Sequence, residues 1–333
     1  MNSDMGKTLV LAMLLTSSVG VALAQDTDEQ KREVHAALRK MQHAAQKLNY
    51  AGTFVYQQGS QIRTSRITHV LDGNSELEKL EILDGQPREY LRKNDEVTCY
   101  LPNSKTIQIE KNVSQEVFPA VFSANAMSLP ESYQIKKAES GRVAGSECQN
   151  YLFEPKDGNR YGYRLCVDKN SGLLLRAQTL NPKNEVIEQI AFTQFQTGEL
   201  DRNKIKPSYQ NVTQWRIENL TAQTNINSGW IVRALPQGFR KVSEMRRLLP
   251  TTANATTSDS KANQVVQLIY SDGLAAISVF IEPYSDTRSE GSLQQGALNV
   301  TGKRHGEYWV TVMGEVPAVA IRQVINSIEL KSK

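Results

Sequence analysis

From Tyr50 to Glu110 apolar and polar residues alternate in short runs, and no helical period is sustained. The runs YAGTFVYQ, QIRTSRITHV, ELEKLEIL, REYLRK, EVTCYL and KTIQIE are divided by Gln58-Gly59-Ser60, Asp72-Gly73-Asn74, Asp84-Gly85-Gln86-Pro87, Asn94-Asp95 and Pro102-Asn103-Ser104. Gly, Asn and Asp tolerate positive φ and Pro presets a turn, so successive runs predict an antiparallel meander with one buried and one wet face. Such a half-barrel must cover something on its concave side, either a packed core or a ligand.

Around this stretch the period changes. Val34, Leu38, Met41, Ala45 and Leu48 recur at helical intervals, and Thr27 and Gln30 have the spacing of a capping box, which predicts a helix lying against the sheet. Residues 111 to 140 are apolar, rich in small residues and broken by Pro119 and Pro130, which predicts short helices or a helical flap. Strands are expected again from about Val143, through a hairpin centred on Pro155 to Asn159, then in LLLRAQTL and EVIEQIAFTQF. Together this makes roughly ten strands, one N-terminal helix and one inserted helical region. Residues 197–214 are polar and aperiodic and read as a linker. A smaller domain is expected over 215–333. It would hold strands in QVVQLIYSDG and LAAISVFIEP, a mobile loop from Thr251 to Asn263, and a helix from Pro317 to Ile328 burying Val319, Ala320, Val324, Ile325 and Ile328.

Length supports this division, because 333 residues exceed a typical single domain. Residues 1–24 read as a signal peptide: Lys7 precedes an apolar run that ends in Ala22-Leu23-Ala24, which places the mature start at Gln25 and the large domain at 25–196. A membrane anchor would need about twenty apolar residues without interruption, and Thr16, Ser17 and Ser18 interrupt this run. The formal charge of +4 comes without a dense basic run interleaved with aromatics, so nucleic acid is not an expected partner. Three cysteines in an exported chain suggest one bridge and one spare thiol. Folding CQNYLFEPKDGNRYGYRLC about Asp157 sets Cys148 opposite Cys166, with Tyr151 against Tyr163 and Phe153 against Tyr161, and leaves Cys99 free.

Candidate chemistry is sparse. The chain has no nucleophile elbow, zinc-protease helix motif, P-loop or dinucleotide fingerprint, and His35, His43, His69 and His305 are scattered without metal-ligand spacing. This lowers the expectation of an enzyme and implies no cofactor or metal. Tyr50, Phe54, Tyr56, Tyr90, Tyr100, Phe118, Phe122 and Tyr133 either fill the half-barrel or line an apolar cavity under the flap, and pattern alone leaves both readings open. Arg233, Arg240, Lys241, Arg246 and Arg247 form a basic cluster, opposed locally by Glu244. It is either a solvated face or a surface that steers an acidic partner peptide or anionic headgroups.

The segments LNYAGTFVY, DGNRYGYRLCVD, GLLLRAQTL, LPQGF, YSDGLAAISVFIE and VMGEVPAVAIRQVINSIEL, in this order after a signal peptide, resemble the RseB/MucB family of sigma-E factor regulatory proteins. The resemblance covers essentially the whole mature chain. It implies a LolA/LolB-like half-barrel lidded by helices, followed by a small C-terminal α/β domain, in a periplasmic protein. It further implies binding of the periplasmic part of an anti-sigma factor, RseA or MucA, shielding of that factor from site-one proteolysis, and release by lipopolysaccharide or another lipid. Under this resemblance the cavity is open, the membrane is reached only through the partner, and oligomerisation stays undecided. A periplasmic lipid or lipoprotein carrier is the alternative that the N-terminal half alone would suggest, and an unrecognised hydrolase is the third class.

Overall fold

The computed structural model describes residues 19–111, 129–248 and 264–331. Most of the expected signal peptide, the greater part of the Pro-broken insert with Phe118 and Phe122, and the expected loop from Thr251 to Asn263 lie outside the described residues. Among the described residues no helix is long and apolar enough to cross a membrane. Helix α1 (Val19–Lys47) is already running at Thr27, so Thr27 and Gln30 do not cap it, and the expected processing site after Ala24 falls within it.

The meander forms as the alternation predicts: β1 (Tyr50–Gln58), β2 (Gln61–Asp72), β3 (Ser75–Ile82), β4 (Arg88–Lys93), β5 (Glu96–Leu101) and β6 (Thr106–Glu110). Gln58 faces Gln61, Asp72 faces Ser75 and Lys93 faces Glu96, so three of the turns have two residues. The first of each pair, Gly59, Gly73 and Asn94, has φ between +55° and +59°, which favours Gly and Asn there.

The chain then adds β7 (Tyr133–Val143), β8 (Ser146–Pro155), β9 (Gly162–Asp168), β10 (Leu174–Leu180) and β11 (Val186–Thr197). A single helical turn, α2 (Leu129–Ser132), precedes β7, which therefore starts ten residues before the expected Val143. With β12 (Arg216–Asn219) these strands make one open twelve-stranded sheet, in the order β12-β6-β5-β4-β3-β2-β1-β11-β10-β9-β8-β7. All of its pairings are antiparallel except β12 with β6.

The Cys148–Cys166 bridge forms, with the two Cα atoms 5.4 Å apart. Its hairpin register is two residues away from the symmetric one: Cys148 faces Asp168, Asn150 faces Cys166 and Phe153 faces Tyr163, so the bridge runs diagonally. The turn is asymmetric because Asp157 Oδ1 accepts from the Asn159 amide at 2.9 Å and from Arg160 Nε at 3.2 Å, which turns Arg160 inward.

The smaller lobe holds β13 (Gln223–Thr224), β14 (Trp230–Val232), β15 (Arg240–Leu248), β16 (Gln264–Ser271), β17 (Ala276–Pro283), β18 (Gly291–Gln295), β19 (Leu298–His305), β20 (Tyr308–Gly314), α3 (Ala318–Ile325) and β21 (Ile328–Leu330). Seven of the strands form one sheet in the order β13-β15-β16-β17-β20-β19-β18, and β14 pairs with β21. Its core joins Leu268, Ile277, Val279, Val310 and Val312 to Ala320, Ile321 and Val324 of α3. Val319, expected on the buried face, is 44% exposed, and Ile321 takes that role.

Candidate functional site

One face of the large sheet can be followed across the register. Tyr151 faces Leu165, Leu165 faces Ala177, Ala177 faces Ile190 and Ile190 faces Tyr56, so these side chains share a face. Helix α1 covers the β7–β10 end of it, where Val34, Leu38 and Met41 pack with Tyr151, Phe153 and Leu165. Between α1 and the meander, Phe192 packs with Tyr50 and Phe54. Gly52 makes room for this ring, since a Cβ there would lie 2.6 Å from it.

Beyond that cluster the same face opens into a groove of about 850 Å³. Phe54, Tyr56, Leu80, Ile82, Tyr90 and Ile190 line it with apolar surface, and Arg63, Asp84 and Arg88 bring charge to it. Ile62, also in the lining, is 61% exposed. A second cleft of about 290 Å³ shares Arg88 and Tyr90 and continues over Val97, Cys99, Leu101 and Leu220. A long concave apolar surface with a few convergent charges suits a ligand that is largely hydrocarbon with an anionic end.

Two titratable groups beside the groove, Cys99 and Tyr56, are shifted toward their neutral forms. The Cys99 thiol is pushed up by burial, against the opposing effect of its hydrogen bond with Tyr90, so it stays a neutral thiol. Burial first, and the neighbouring Glu188 second, raise the Tyr56 phenol, whose hydroxyl donates to Glu188 Oε2 at 3.1 Å.

At the inner end of the same face lies a buried polar cluster. Tyr50 is fully buried and stacked on His69, whose Nδ1 donates to the Leu48 carbonyl at 2.8 Å. His69 Nε2 is 3.4 Å from Glu76, and Arg92 lies 3.3 Å from Glu78 and 3.9 Å from Glu76. The neighbouring His69 is the main influence holding the Glu76 carboxyl below the usual range, whereas burial pushes Glu78 upward.

Of the aromatic residues singled out in the sequence, Phe54, Tyr56 and Tyr90 line the groove. Tyr50 belongs to the core beside it, and Tyr133 is buried with Phe153 and Tyr163. Tyr100 points to the opposite face, because Tyr90 is paired with Cys99 and Tyr100 with Glu89. There it meets Tyr209 and Trp215 at ring-centroid distances of 6.0 and 6.3 Å.

Those two aromatics belong to the segment after β11, which runs pinned across this outer face. Lys79 Nζ donates to the Lys206 carbonyl at 2.9 Å and to Ser208 Oγ at 2.8 Å, and the Ser208 amide donates to Glu89 at 2.9 Å. Residues 216–219, expected to open the small domain, instead close the large sheet as β12, and Leu220 lines the second cleft. Arg63, Leu80, Ile82 and Arg88 escaped the sequence reading, which weighted aromatics. The period-two spacing of Leu80 and Ile82 was the available signal.

The basic residues do not form one free patch. Arg233 pairs with Glu329 at 2.7 Å, Lys241 with Glu244 at 2.7 Å, Arg247 with Glu110 at 3.0 Å and Arg240 with Glu131 at 3.8 Å. Two of these acids, Glu110 and Glu131, lie on the large lobe, so Arg240 and Arg247 contribute to the seam between lobes. Arg246 is exposed and has no ion pair with a described residue.

Comparison with known proteins places this architecture. The profile of the MucB/RseB N-terminal domain matches residues 33–213, and that of the MucB/RseB C-terminal domain matches residues 224–329. Over 97% of both chains the sequence is 24% identical to the sigma-E factor regulatory protein RseB of Haemophilus influenzae. It is 29% identical, again over 97% of both chains, to the sigma factor AlgU regulatory protein MucB of Pseudomonas aeruginosa. A crystal structure of MucB in complex with MucA(peri) superposes with a TM-score of 0.67 at 26% identity, covering 90% of this chain and 99% of that one. The Pseudomonas aeruginosa MucA/MucB complex gives a TM-score of 0.70 at 26% identity, covering 90% and 100%. The chain belongs to the MucB/RseB family and carries both its N-terminal and its C-terminal domain.

Proposed function

We propose that this chain is a periplasmic negative regulator of a sigma-E-type envelope-stress response. It binds the periplasmic part of a membrane-bound anti-sigma factor of the RseA/MucA kind and shields it from site-one proteolysis. The observation that supports this reading is the match, over both lobes, to MucB structures solved in complex with MucA. Lipopolysaccharide or another lipid is the releasing signal, taken up by the groove over Phe54, Leu80, Ile82 and Tyr90. If lipid and anti-sigma factor favour different arrangements of the two lobes, each weakens the other by the same factor.

The test is the rate at which activated site-one protease cuts the anti-sigma periplasmic domain, with and without this protein, at one salt concentration. Slowing that is relieved by lipopolysaccharide supports both parts of the reading. No slowing by the folded protein would sink the shielding role.

A periplasmic lipid or lipoprotein carrier is the second reading, favoured by the location of the whole groove lining on the large lobe. The isolated small lobe would then be dispensable, and lipid handed to an acceptor membrane would be the readout.

A further inference from the structure

The two lobes meet around a buried ion pair. Arg160, in the β8–β9 turn of the large lobe, has a fully buried side chain. Its Nη1 donates to Asp272 Oδ2 at 2.8 Å, its Nη2 to the Gln237 carbonyl and its Nε to Asp157 at 3.2 Å. The guanidinium also lies over two rings, 5.5 Å from the centroid of Tyr133 and 5.3 Å from that of Phe239. Asp272, Gln237 and Phe239 all come from the small lobe.

Asp272 is equally buried and serves both lobes. Its Oδ1 accepts from the amides of Leu274 at 3.0 Å and Ala275 at 2.9 Å, which shapes its own turn. Its Oδ2 takes Arg160 and, at 3.3 Å, the Tyr133 hydroxyl. Leu274, carried by that turn, packs on the cluster formed by Tyr133, Phe153 and Tyr163.

Glu188 of the large lobe also accepts from the buried Ala297 amide at 3.4 Å, but the other ion pairs across the seam among the described residues are more exposed. Arg240 and Glu131, 3.8 Å apart, are 66% and 67% exposed, and Arg247 with Glu110 is partly so. Exposed pairs of this kind hold little, because water and salt compete for both partners. A buried charge that loses its counter-charge is instead a strong reason for a seam to open and admit water.

We propose that Arg160 is the positioning residue that latches the two lobes in one arrangement, acting through Asp272 rather than by touching a ligand. Removing only the cation frees the small lobe to move and solvate Asp272. Removing both charges lets the seam close again. The distance part of the proposal stands independently, and the affinity part below rests on the proposed function.

The experiment places spin labels at Lys183→Cys and Glu307→Cys in full-length mature protein, in a Cys99→Ala background. Distances are compared for the parent, Arg160→Met and Arg160→Met/Asp272→Asn, where asparagine retains an acceptor for the Leu274 and Ala275 amides. Near-ultraviolet circular dichroism checks that each variant is folded. The expected result is a narrow distance in the parent, a broader and longer distribution in Arg160→Met, and substantial recovery in the double variant. If Arg160→Met fails to fold, Arg160→Lys, which keeps the charge and loses the fork, is expected to broaden the distance in the same direction. An unchanged distribution in the folded single variant overturns the latch.

In parallel, affinity for the periplasmic domain of a MucA-like anti-sigma factor is expected to change about tenfold in the opened variant. Absence of binding by the parent would count against the proposed function while leaving the distance result intact. Equal affinity of parent and opened variant would overturn the coupling to the partner.

Discussion

Tyr50 lies flat on His69, with ring centroids 4.9 Å apart and planes 18° from parallel. Both side chains are sealed from solvent, so Tyr50 acts as a packed support beside the groove. Tyr50→Ala is expected to cost about 3–5 kcal/mol in urea unfolding, as aromatic truncations in cores do. In the fraction that remains folded, uptake of a fluorescent acyl probe should be close to that of the parent. A probe defect with unchanged stability would instead place Tyr50 in the groove.

Beneath that stack, Glu76 gives the cluster a pH signature. Its folded-state pKa is lowered, chiefly by the neighbouring His69. The stability it contributes is therefore complete above the ordinary glutamate range and is lost as pH falls below about 4 towards the depressed value. Glu78 has the opposite sign: burial raises its pKa, so its contribution favours the fold at low pH and fades as pH rises. Glu76→Gln should lower stability at pH 7 and flatten the acid limb of the stability curve, whereas Glu78→Gln, whose neutral amide stands in for the protonated acid that the site favours, should not lower it. Denaturation midpoints between pH 3 and 7 check this, and equal losses with parallel curves would contradict it.

In the groove, Leu80 and Ile82 sit on the same strand and face with no covering helix among the described residues. Ile82→Asp is expected to weaken binding of an acyl probe by more than about tenfold, since an ionised carboxylate on an apolar surface loses solvation when the ligand lands. Ile217→Asp, at a residue 64% exposed on the short edge strand, is the matched control and should leave binding unchanged. Charge reversal at Arg88 should weaken an anionic lipid more than a neutral detergent, and equal weakening would argue against a headgroup role.

The Cys148–Cys166 bridge closes a short loop, with 18 residues of separation. Replacing both cysteines by alanine is expected to cost about 3 kcal/mol on the chain-entropy account. Alkylation of the unreduced, denatured parent should modify Cys99 alone, and labelling at three positions would show that the bridge does not form in the isolated protein.

The meander was readable because each divider supplies a residue suited to its turn and each run keeps its alternation. Even the faces were implicit: once Asn94-Asp95 forms a two-residue turn, Tyr90 must pair with Cys99, and Tyr100 must point the other way. β7 was harder. After Tyr133 and Ile135 its sequence is Lys136-Lys137-Ala138-Glu139-Ser140, and an edge strand with so much solvent around it carries little apolar period.

Pattern could not decide between filled core and open groove, because aromatic residues serve both, and the outcome depends on how far α1 reaches across the sheet. The latch was beyond reach for a different reason. Arg160 and Asp272 are 112 residues apart, and each alone resembles an ordinary turn residue. Their burial arises only when the two lobes meet.

The short parallel strand β12 has a further consequence. Because it fastens residues 216–219 to the large lobe, the Leu220 amide still donates to the Ile109 carbonyl at 2.8 Å, and β13 at Gln223 already belongs to the small lobe, the crossing consists of Thr221 and Ala222 alone. Two residues span at most about 7 Å when fully extended. A tether that short keeps the local concentration of one lobe around the other high. An opened seam therefore behaves as a jaw on a short hinge pin, able to part and shut again without the halves losing each other.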